Sequence, residues 1–243
     1  MSNLYVYAIA RKFDFPDITG IEEEQIFLVL YKDIAAVVSK RELEEIDPTR
    51  QNVKSHVRVQ EQLMMLGTIV PLSFGTIVPD ELIEKLLEKN YSLLSGELEK
   101  LADTIEVEVK ITWNRELLLS ELDRTSSYYS RLRKKLDTTT SPLQKQEIIL
   151  EIGRVVEKTV QNWKTTYAKR IFDALRSISR ETKENSVSRI EVLMDISFLI
   201  NRHDEESFLS LLKDLDKGTD GRLDFKYIGP LPPYNFLKIN LAV

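Results

Sequence analysis

Residues 105–113 read Ile-Glu-Val-Glu-Val-Lys-Ile-Thr-Trp, a strict alternation of apolar and polar side chains. Successive side chains of a β-strand point to opposite faces, so this pattern predicts a strand with one buried and one exposed face. Just before it, leucine and isoleucine recur at three- and four-residue steps across 79–101, which predicts an amphipathic helix. A second helix followed by a strand is predicted across 208–228. Helices and strands mixed in this way indicate an α+β fold.

The residues upstream predict three strands and one more helix. Leu4–Ala10, Gln25–Leu30 and Ile34–Val38 are rich in β-branched or aromatic residues, and the short spacing makes the second and third a hairpin. Pro48 is expected to open a helix that ends near Gly67, with Asp47 as its cap. An apolar connector with embedded turn residues is expected from 69 to 78.

The residues downstream predict a helical arm and a second mixed region. Helices are expected over 114–136 and 142–181, and the polar break between them indicates an antiparallel hairpin. Strands at 189–200 and 223–228 enclose a helix at 204–215, a proline-rich segment without ladder hydrogen bonds follows, and 236–243 could add a strand. We predict two lobes: an N-terminal α+β domain, 1–112, and a C-terminal domain, 113–243, that includes the helical arm 114–181 and the proline-rich segment.

Composition narrows the classes of function. The chain has 243 residues, with 34 Lys+Arg against 39 Asp+Glu, and its net charge of −5 disfavours a nucleic-acid or anionic-membrane binder. Cysteine is absent, which excludes disulfides, thiolate metal sites and a cysteine nucleophile. The start lacks a basic segment before its apolar run, and no apolar run approaches the roughly 20 residues that cross a bilayer. These features predict a cytoplasmic protein without a membrane span.

Residue patterns that support catalysis are scarce. There is no glycine-rich phosphate loop and no nucleophile elbow, and only two histidines are present. His56 lies on the apolar arc of its helix, where a hydrogen-bonded core histidine is the ordinary interpretation and a pocket-lining histidine is the alternative. The basic run 131–135 and the carboxylate clusters are interpreted as solvated surface. The sequence therefore predicts no catalytic residue, no metal site and no cofactor.

Two apolar segments with embedded turn residues, 70–78 and 231–237, are unusual for a self-contained fold. They could pack inward, or they could form a patch for a hydrophobic partner. The candidate residues for partner binding in and beside these segments are Leu72, Phe74, Pro230, Leu231, Pro233, Tyr234 and Phe236.

Taken in order along the chain, these pieces resemble the GvpF/GvpL family of gas vesicle proteins. The resemblance spans nearly the whole chain and rests on the opening Leu-Tyr-Val-Tyr-Ala at 4–8, Asp-Ile-Ala-Ala-Val-Val-Ser at 33–39, His56, Val-Pro-Leu-Ser-Phe-Gly-Thr at 70–76 and Gly-Pro-Leu-Pro-Pro-Tyr-Asn-Phe at 229–236. Two positions depart from the family pattern, which often has arginine where Ser73 stands and tryptophan where Leu231 stands.

The resemblance implies a non-enzymatic gas vesicle protein, either a minor structural component or an assembly accessory. Its implied partners are the hydrophobic shell protein, gas vesicle protein A, and other gas vesicle accessory proteins, and its implied location is the gas vesicle in the cytoplasm. It also implies that the C-terminal domain is a modified ferredoxin-like fold. Two alternatives stay open at this point: a cytosolic enzyme or ligand-binding protein that uses His56 on a ferredoxin-like scaffold, and a nucleic-acid binder.

Overall fold

The computed structural model of the chain describes residues 2–12, 17–42, 45–186 and 191–239. The strands within these ranges are β1 (Asn3–Arg11), β2 (Ile26–Tyr31), β3 (Ile34–Arg41), β4 (Ile69–Pro71), β5 (Ile77–Pro79), β6 (Thr104–Trp113), β7 (Glu181–Glu184), β8 (Val192–Asn201) and β9 (Leu223–Leu231). The α-helices are α1 (Arg50–Leu66), α2 (Asp80–Lys100), α3 (Arg115–Thr125), α4 (Ser127–Thr138), α5 (Pro142–Trp163), α6 (Lys169–Arg176) and α7 (Glu205–Lys217).

The first sheet is built around β1. Its order is β2-β3-β1-β4, and β5 also pairs with β1. All these pairings are antiparallel, and the predicted hairpin of β2 and β3 is present, with Tyr31 opposite Ile34. The segment predicted as a connector therefore contributes two short strands: Ile69 lies opposite Ala10, and Val78 opposite Leu4.

Helices cover both faces of this sheet. Leu4, Val6 and Ile9 belong to the apolar cluster that α2 completes, and the bulge between Val6 and Ala8 keeps Val6 and Ile9 on the same side. Tyr5 and Tyr7 point to the other face, where their rings contact His56 of α1. Strand β1 is thus buried along nearly its whole length, as its continuous apolar sequence predicts.

The second sheet has the order β7-β8-β6-β9. Along the chain the elements run β6, helices, β7, β8, α7, β9, which is the β-α-β-β-α-β arrangement of ferredoxin-like folds. The four helices α3–α6 occupy the place of the usual single first helix. The α+β class and the modified ferredoxin-like arrangement are both confirmed.

The helical arm differs from its prediction in three places. The predicted helix 114–136 is two helices, because the Ser126 hydroxyl accepts a hydrogen bond from the Tyr129 amide at 3.2 Å and caps α4. The predicted helix 142–181 contains a π-helical turn at Lys164–Ala168 and ends at Arg176. The unpredicted strand β7 follows, with the wholly polar sequence Glu-Thr-Lys-Glu.

The predicted start of α1 and the predicted end of β9 were also wrong. Helix α1 begins at Arg50 rather than Pro48, because the Thr49 hydroxyl and not Asp47 caps it by accepting from the Asn52 amide at 3.2 Å. Strand β9 extends to Leu231, through Pro230, and a 3₁₀ turn follows at Tyr234–Phe236. Proline is tolerated there because β9 is an edge strand. Residues 237–239 form no strand. Parts of the loop that Pro16 and Gly20 indicate at 13–21, and parts of the strands predicted at 189–200 and 236–243, lie outside the described residues.

The chain divides into two compact units. The first comprises 1–107, 199–202 and 229–243, and the second comprises 108–198 and 203–228. The predicted division into domains at 112 and 113 remains a prediction, because a compact unit is not by itself an independently folding domain. Within the described ranges, no helix is long and apolar enough to span a bilayer.

Candidate functional site

The two apolar segments singled out in the sequence meet at His56 of α1. The Tyr5 hydroxyl lies 2.8 Å from His56 Nδ1, and the Leu72 carbonyl oxygen lies 3.1 Å from His56 Nε2. A carbonyl oxygen can only accept, so we assign the ring hydrogen to Nε2, and Nδ1 accepts from Tyr5. The Tyr5 oxygen in turn accepts from the Gly75 amide at 3.1 Å. Both ring nitrogens therefore have partners inside the protein.

Gln60, one helical turn beyond His56, joins both segments to β1. Its Nε2 donates to the carbonyl oxygens of Tyr7 at 2.7 Å and Leu72 at 2.9 Å. Its Oε1 accepts from the Tyr234 hydroxyl at 2.5 Å. That hydroxyl also lies 3.2 Å from His56 Nε2 and 2.9 Å from the Leu72 oxygen. We call the side chains of Tyr5, His56, Gln60 and Tyr234, with the Leu72 carbonyl, the His56 cluster.

Aromatic rings enclose the histidine. Tyr7 stacks on His56 with centroids 5.7 Å apart and an interplanar angle of 25°, and Phe74 meets it edge-on at 5.8 Å. The Tyr7 hydroxyl accepts from the Ile21 amide at 2.9 Å. This packing requires glycine at position 20, because a Cβ there would lie 2.0 Å from the Tyr7 hydroxyl oxygen.

Burial keeps the His56 cluster uncharged. Desolvation lowers the pKa of His56 to about 4, although the hydrogen bond to Leu72 opposes the shift. Burial also raises the pKa of Tyr234 to about 12, against the hydrogen bond with Gln60. His56 is 1% exposed and neutral at neutral pH. This matches the core-histidine interpretation, with more hydrogen bonds than it assumed.

A buried carboxylate holds the C-terminal segment from a second side. Both oxygens of Glu106 accept from Asn235, one from the backbone amide at 3.0 Å and one from Nδ2 at 2.6 Å. Lys100 Nζ donates to the Phe236 carbonyl at 2.8 Å. The alternation of β6 predicted Glu106 to be exposed, but it is 2% exposed. The prediction was wrong because that half of β6 is buried on both faces.

The seven candidate residues for partner binding separate by burial. Leu72, Pro233 and Phe236 are buried, and Leu72 and Phe236 belong to the apolar cluster under α2. Phe74 and Leu231 are half-buried, and Pro230 and Tyr234 are exposed. The structure brings Tyr234 to Leu72.

Sequence reasoning missed Tyr5, Gln60 and Glu106 as members of this region. A glutamine on the apolar arc beside His56 was the one available signal, because a buried amide requires partners.

Other features of the described residues offer less chemistry. His203 is exposed, with 77% of its side chain accessible, and the metal-capable side chains in the described ranges form no group of three that could hold an ion. A groove of about 410 Å³ lies in the second unit and is lined by residues that include Lys164, Phe172, Asn185 and Met194. In contrast, the hydrogen bonds of the His56 cluster can hold the 70–78 and 231–237 segments in fixed positions.

A family model and two curated relatives each match nearly the whole chain. A family model described as gas vesicle synthesis protein GvpL/GvpF matches residues 3–238. Gas vesicle protein F of Nostoc sp. is 27% identical, in an alignment that covers 98% of this chain and 99% of that protein. Gas vesicle protein F1 of Halobacterium salinarum is 24% identical, with 99% of this chain and 95% of that protein covered.

Solved structures give the same result for the fold. The crystal structure of GvpF from Anabaena sp. superposes with a TM-score of 0.80 at 25% identity and covers 99% of this chain and 100% of that one. The crystal structure of GvpF from Microcystis aeruginosa has a TM-score of 0.75 at 23% identity, with 98% and 99% covered.

Proposed function

Because the chain belongs to the GvpL/GvpF family of gas vesicle synthesis proteins, we propose that it acts without catalysis, as a minor component or assembly accessory that binds the shell protein of the vesicle. Membership makes it a gas vesicle-associated protein. The partner we propose is the hydrophobic shell protein, gas vesicle protein A, together with other accessory proteins, at the gas vesicle in the cytoplasm. The family match over residues 3–238 is the observation that carries this proposal.

The His56 cluster supports a positioning role over a catalytic one. A general base needs a free nitrogen and a pKa near the working pH. Both nitrogens of His56 are bonded within the protein, and its pKa is about 4. The hydrogen bonds of the cluster fix the 70–78 and 231–237 segments to β1 and α1. We therefore interpret the cluster as the support of a rigid surface.

The surface that this support presents is partly apolar. Phe74 and Leu231 are half-buried, and Pro230 and Tyr234 are exposed, whereas Leu72, Pro233 and Phe236 hold the segments from beneath. A shell subunit with a strongly apolar face would aggregate unless that face were covered. A rigid apolar rim loses little conformational entropy when it binds, and the net charge of −5 would keep the complex dispersed.

Co-expression with the shell protein tests the proposal. We expect Phe74→Ser and Leu231→Ser to reduce the amount of shell protein that co-purifies with the tagged chain by about tenfold, since each removes an apolar contact at the rim. Leu143→Ser on α5 is the control, because it makes the same leucine-to-serine change at a leucine that is 72% exposed and lies outside the rim. Phe236→Ser separates the two roles of the segment, because Phe236 is 3% exposed and its loss would lower stability. Folded rim variants that retain full binding would contradict the proposed surface, and a wild-type chain that retains no shell protein would contradict the proposed function.

A further inference from the structure

The sheet edges of the described chain are protected to different degrees. Strand β7 is four residues long and wholly polar, and β9 carries Pro230 with the exposed Asp224 and Lys226. Strands β4 and β5 are three residues long, and each ends in a proline. Short strands, charges and proline are the usual devices that prevent a sheet edge from pairing with another chain. Three of the four sheet edges, formed by β7, by β9 and by β4 with β5, are therefore protected by such devices.

Strand β2 forms the fourth edge and has none of these devices. Its sequence, Ile-Phe-Leu-Val-Leu-Tyr at 26–31, contains no charge and no proline. Within the ranges that the structure describes, β2 pairs with β3 on one side only. Leu30 is 46% exposed and Leu28 is half-buried. An apolar edge strand of this kind is a template for a further strand.

The hairpin geometry shows which backbone groups lie on the open side. Tyr31 and Ile34 flank a two-residue turn, so they exchange hydrogen bonds with each other, and alternate residues back along β2 do the same with β3. The amide and carbonyl groups of Leu28 and Leu30 then point away from β3. Ile26 precedes Leu28 by two residues, so its backbone groups should also point away from β3. Its amide does so, because it donates to the Ile18 carbonyl at 3.2 Å. The open stretch thus begins after Ile26.

We propose that β2 pairs antiparallel with β2 of a second copy of this chain, about a two-fold axis at Val29. In this register Leu28 of each copy lies opposite Leu30 of the other, and the outward backbone groups of both residues exchange hydrogen bonds. Phe27 lies opposite Tyr31 on the other face. A two-fold contact of this kind uses the same patch on both copies, and here every apolar side chain meets an apolar partner.

The charges at the two ends of β2 favour this antiparallel arrangement. At the start of the strand Arg41 pairs with Glu22, which leaves the exposed Glu23 and Glu24. At its end Arg11 pairs with Asp33, which leaves the exposed Lys32 and Lys12. The Lys12 amide donates to the Asp33 carbonyl, which places Lys12 at the turn end of the hairpin. Antiparallel pairing brings the acidic end of one copy toward the basic end of the other. A parallel arrangement would bring like charges together.

Sedimentation measurements over a range of concentrations test the pairing. The contact uses about five residues of each copy, so we expect a reversible dimer with a dissociation constant on the order of micromolar. Leu28→Lys and Leu30→Lys should each weaken it by at least about a hundredfold, because each substitution places one charge in both of the apolar Leu28–Leu30 contacts. Leu150→Lys on α5, another leucine exposed by about half, is the control and should leave the dimer unchanged. A protein that stays monomeric, or a dimer that Leu30→Lys leaves intact, overturns the proposal.

Residue-resolved amide exchange of the unmodified protein provides a test without any variant. The amides of Phe27 and Val29 bond to β3 and should exchange slowly at every concentration. Those of Leu28 and Leu30 should exchange fast in dilute solution and at least about tenfold more slowly as the dimer forms. Fast exchange of Leu28 and Leu30 at all concentrations, or slowing only when a different protein is added, contradicts self-pairing. The proposal is independent of shell-protein binding, and these measurements leave that binding untested.

Discussion

Each compact unit buries polar groups in its sheet region. The His56 cluster of the first unit is neutral, whereas the Asp195–Lys110 pair of the second unit is charged. In the first unit the His56 cluster joins residues up to 178 positions apart. In the second unit the Asp195 carboxylate, whose residue is 8% exposed, accepts from Lys110 Nζ at 2.8 Å and from Asn185 Nδ2 at 2.9 Å. Neutral hydrogen-bonded groups can be buried completely, whereas an ion pair is usually left partly in contact with water. Accordingly, the Lys110 side chain is 36% exposed.

The two arrangements should respond to acid at different pH values. The pKa of His56 is about 4 in the folded chain, below its ordinary value of 6.5. As the pH falls, this histidine is therefore protonated in the unfolded chain before it is protonated in the folded chain. Burial opposes ionisation of Asp195, but the hydrogen bonds from Lys110 and Asn185 outweigh it, and the pKa lies below the ordinary value of 3.8. The contribution of Asp195 to stability is therefore lost only in stronger acid. This contrast lets the two regions be probed separately.

Removal of the histidine ring should have the largest effect. We expect His56→Ala to lower the free energy of unfolding by about 4 kcal/mol, because it leaves the Tyr5 hydroxyl without its acceptor and opens a cavity beside Tyr7 and Phe74. Urea unfolding followed by circular dichroism measures the change. His203→Ala is the control, since His203 is exposed, and it should change stability by less than about 0.5 kcal/mol. Equal effects of the two substitutions would contradict the role of the cluster.

Low pH should have the second-largest effect, through protonation of His56. Between pH 6.5 and about 4 the unfolded chain binds a proton at His56 that the folded chain does not, so the free energy of unfolding falls as the pH falls through this window. The total loss is about 3 kcal/mol, and it is complete below about pH 4. Unfolding midpoints at several pH values measure it. His56→Ala should remove this part of the pH dependence. If the variant retained the full slope, groups other than His56 would be responsible for the loss of stability.

The attachment of the C-terminal segment should contribute less. We expect Glu106→Gln to lower the free energy of unfolding by about 2 kcal/mol, because an amide nitrogen replaces one of the two oxygens that accept from Asn235. Proteolysis near residues 237–239 should become faster in this variant. Glu108→Gln, on the same strand, provides a comparison in which the Asn235 contacts are kept. Protection of the segment equal to wild type would show that the contacts of Tyr234, Phe236 and Lys100 suffice to hold it.

The ion pair of the second unit should show the smallest effect. Lys110→Ala should lower the free energy of unfolding at neutral pH by about 1 kcal/mol, since Asp195 keeps Asn185 as a donor and Lys110 is partly exposed. The pKa of Asp195 should rise in this variant, which carboxyl chemical shifts would report. Lys226→Ala, at an exposed position of β9, is the control. A loss as large as that of His56→Ala would remove the difference between the two regions.

Regular sequence patterns predicted most of the fold. The alternation in β6, the apolar run of β1 and the helical periodicity of α2 each reflect one local rule, and each element is present. Strand β7 was missed because its polar sequence carries no burial signal, and its pairing with β8 determines its conformation. The break at Ser126 depends on one side-chain bond to the backbone, which periodicity does not reveal.

The site was only half predictable for a similar reason. The 70–78 and 231–237 segments stood out because they are apolar and contain turn residues, but no local pattern shows that Tyr234 meets His56 and Gln60. Burial of Glu106 depends on Asn235, which is 129 residues away along the chain. Such contacts are determined by tertiary packing, and a single sequence does not contain a periodic signal for them.

The discontinuous first unit has a consequence for how the protein is made. Strand β1 leaves the ribosome long before residues 229–239, which complete its surroundings. Until those residues emerge, the growing chain must carry a partly assembled core whose apolar surface is open to other molecules. Contacts between β1 or α1 and residues 229–239 also raise the average sequence separation of native contacts, which slows folding. A nascent chain stalled shortly before Tyr234 should therefore need chaperone protection that the released protein does not.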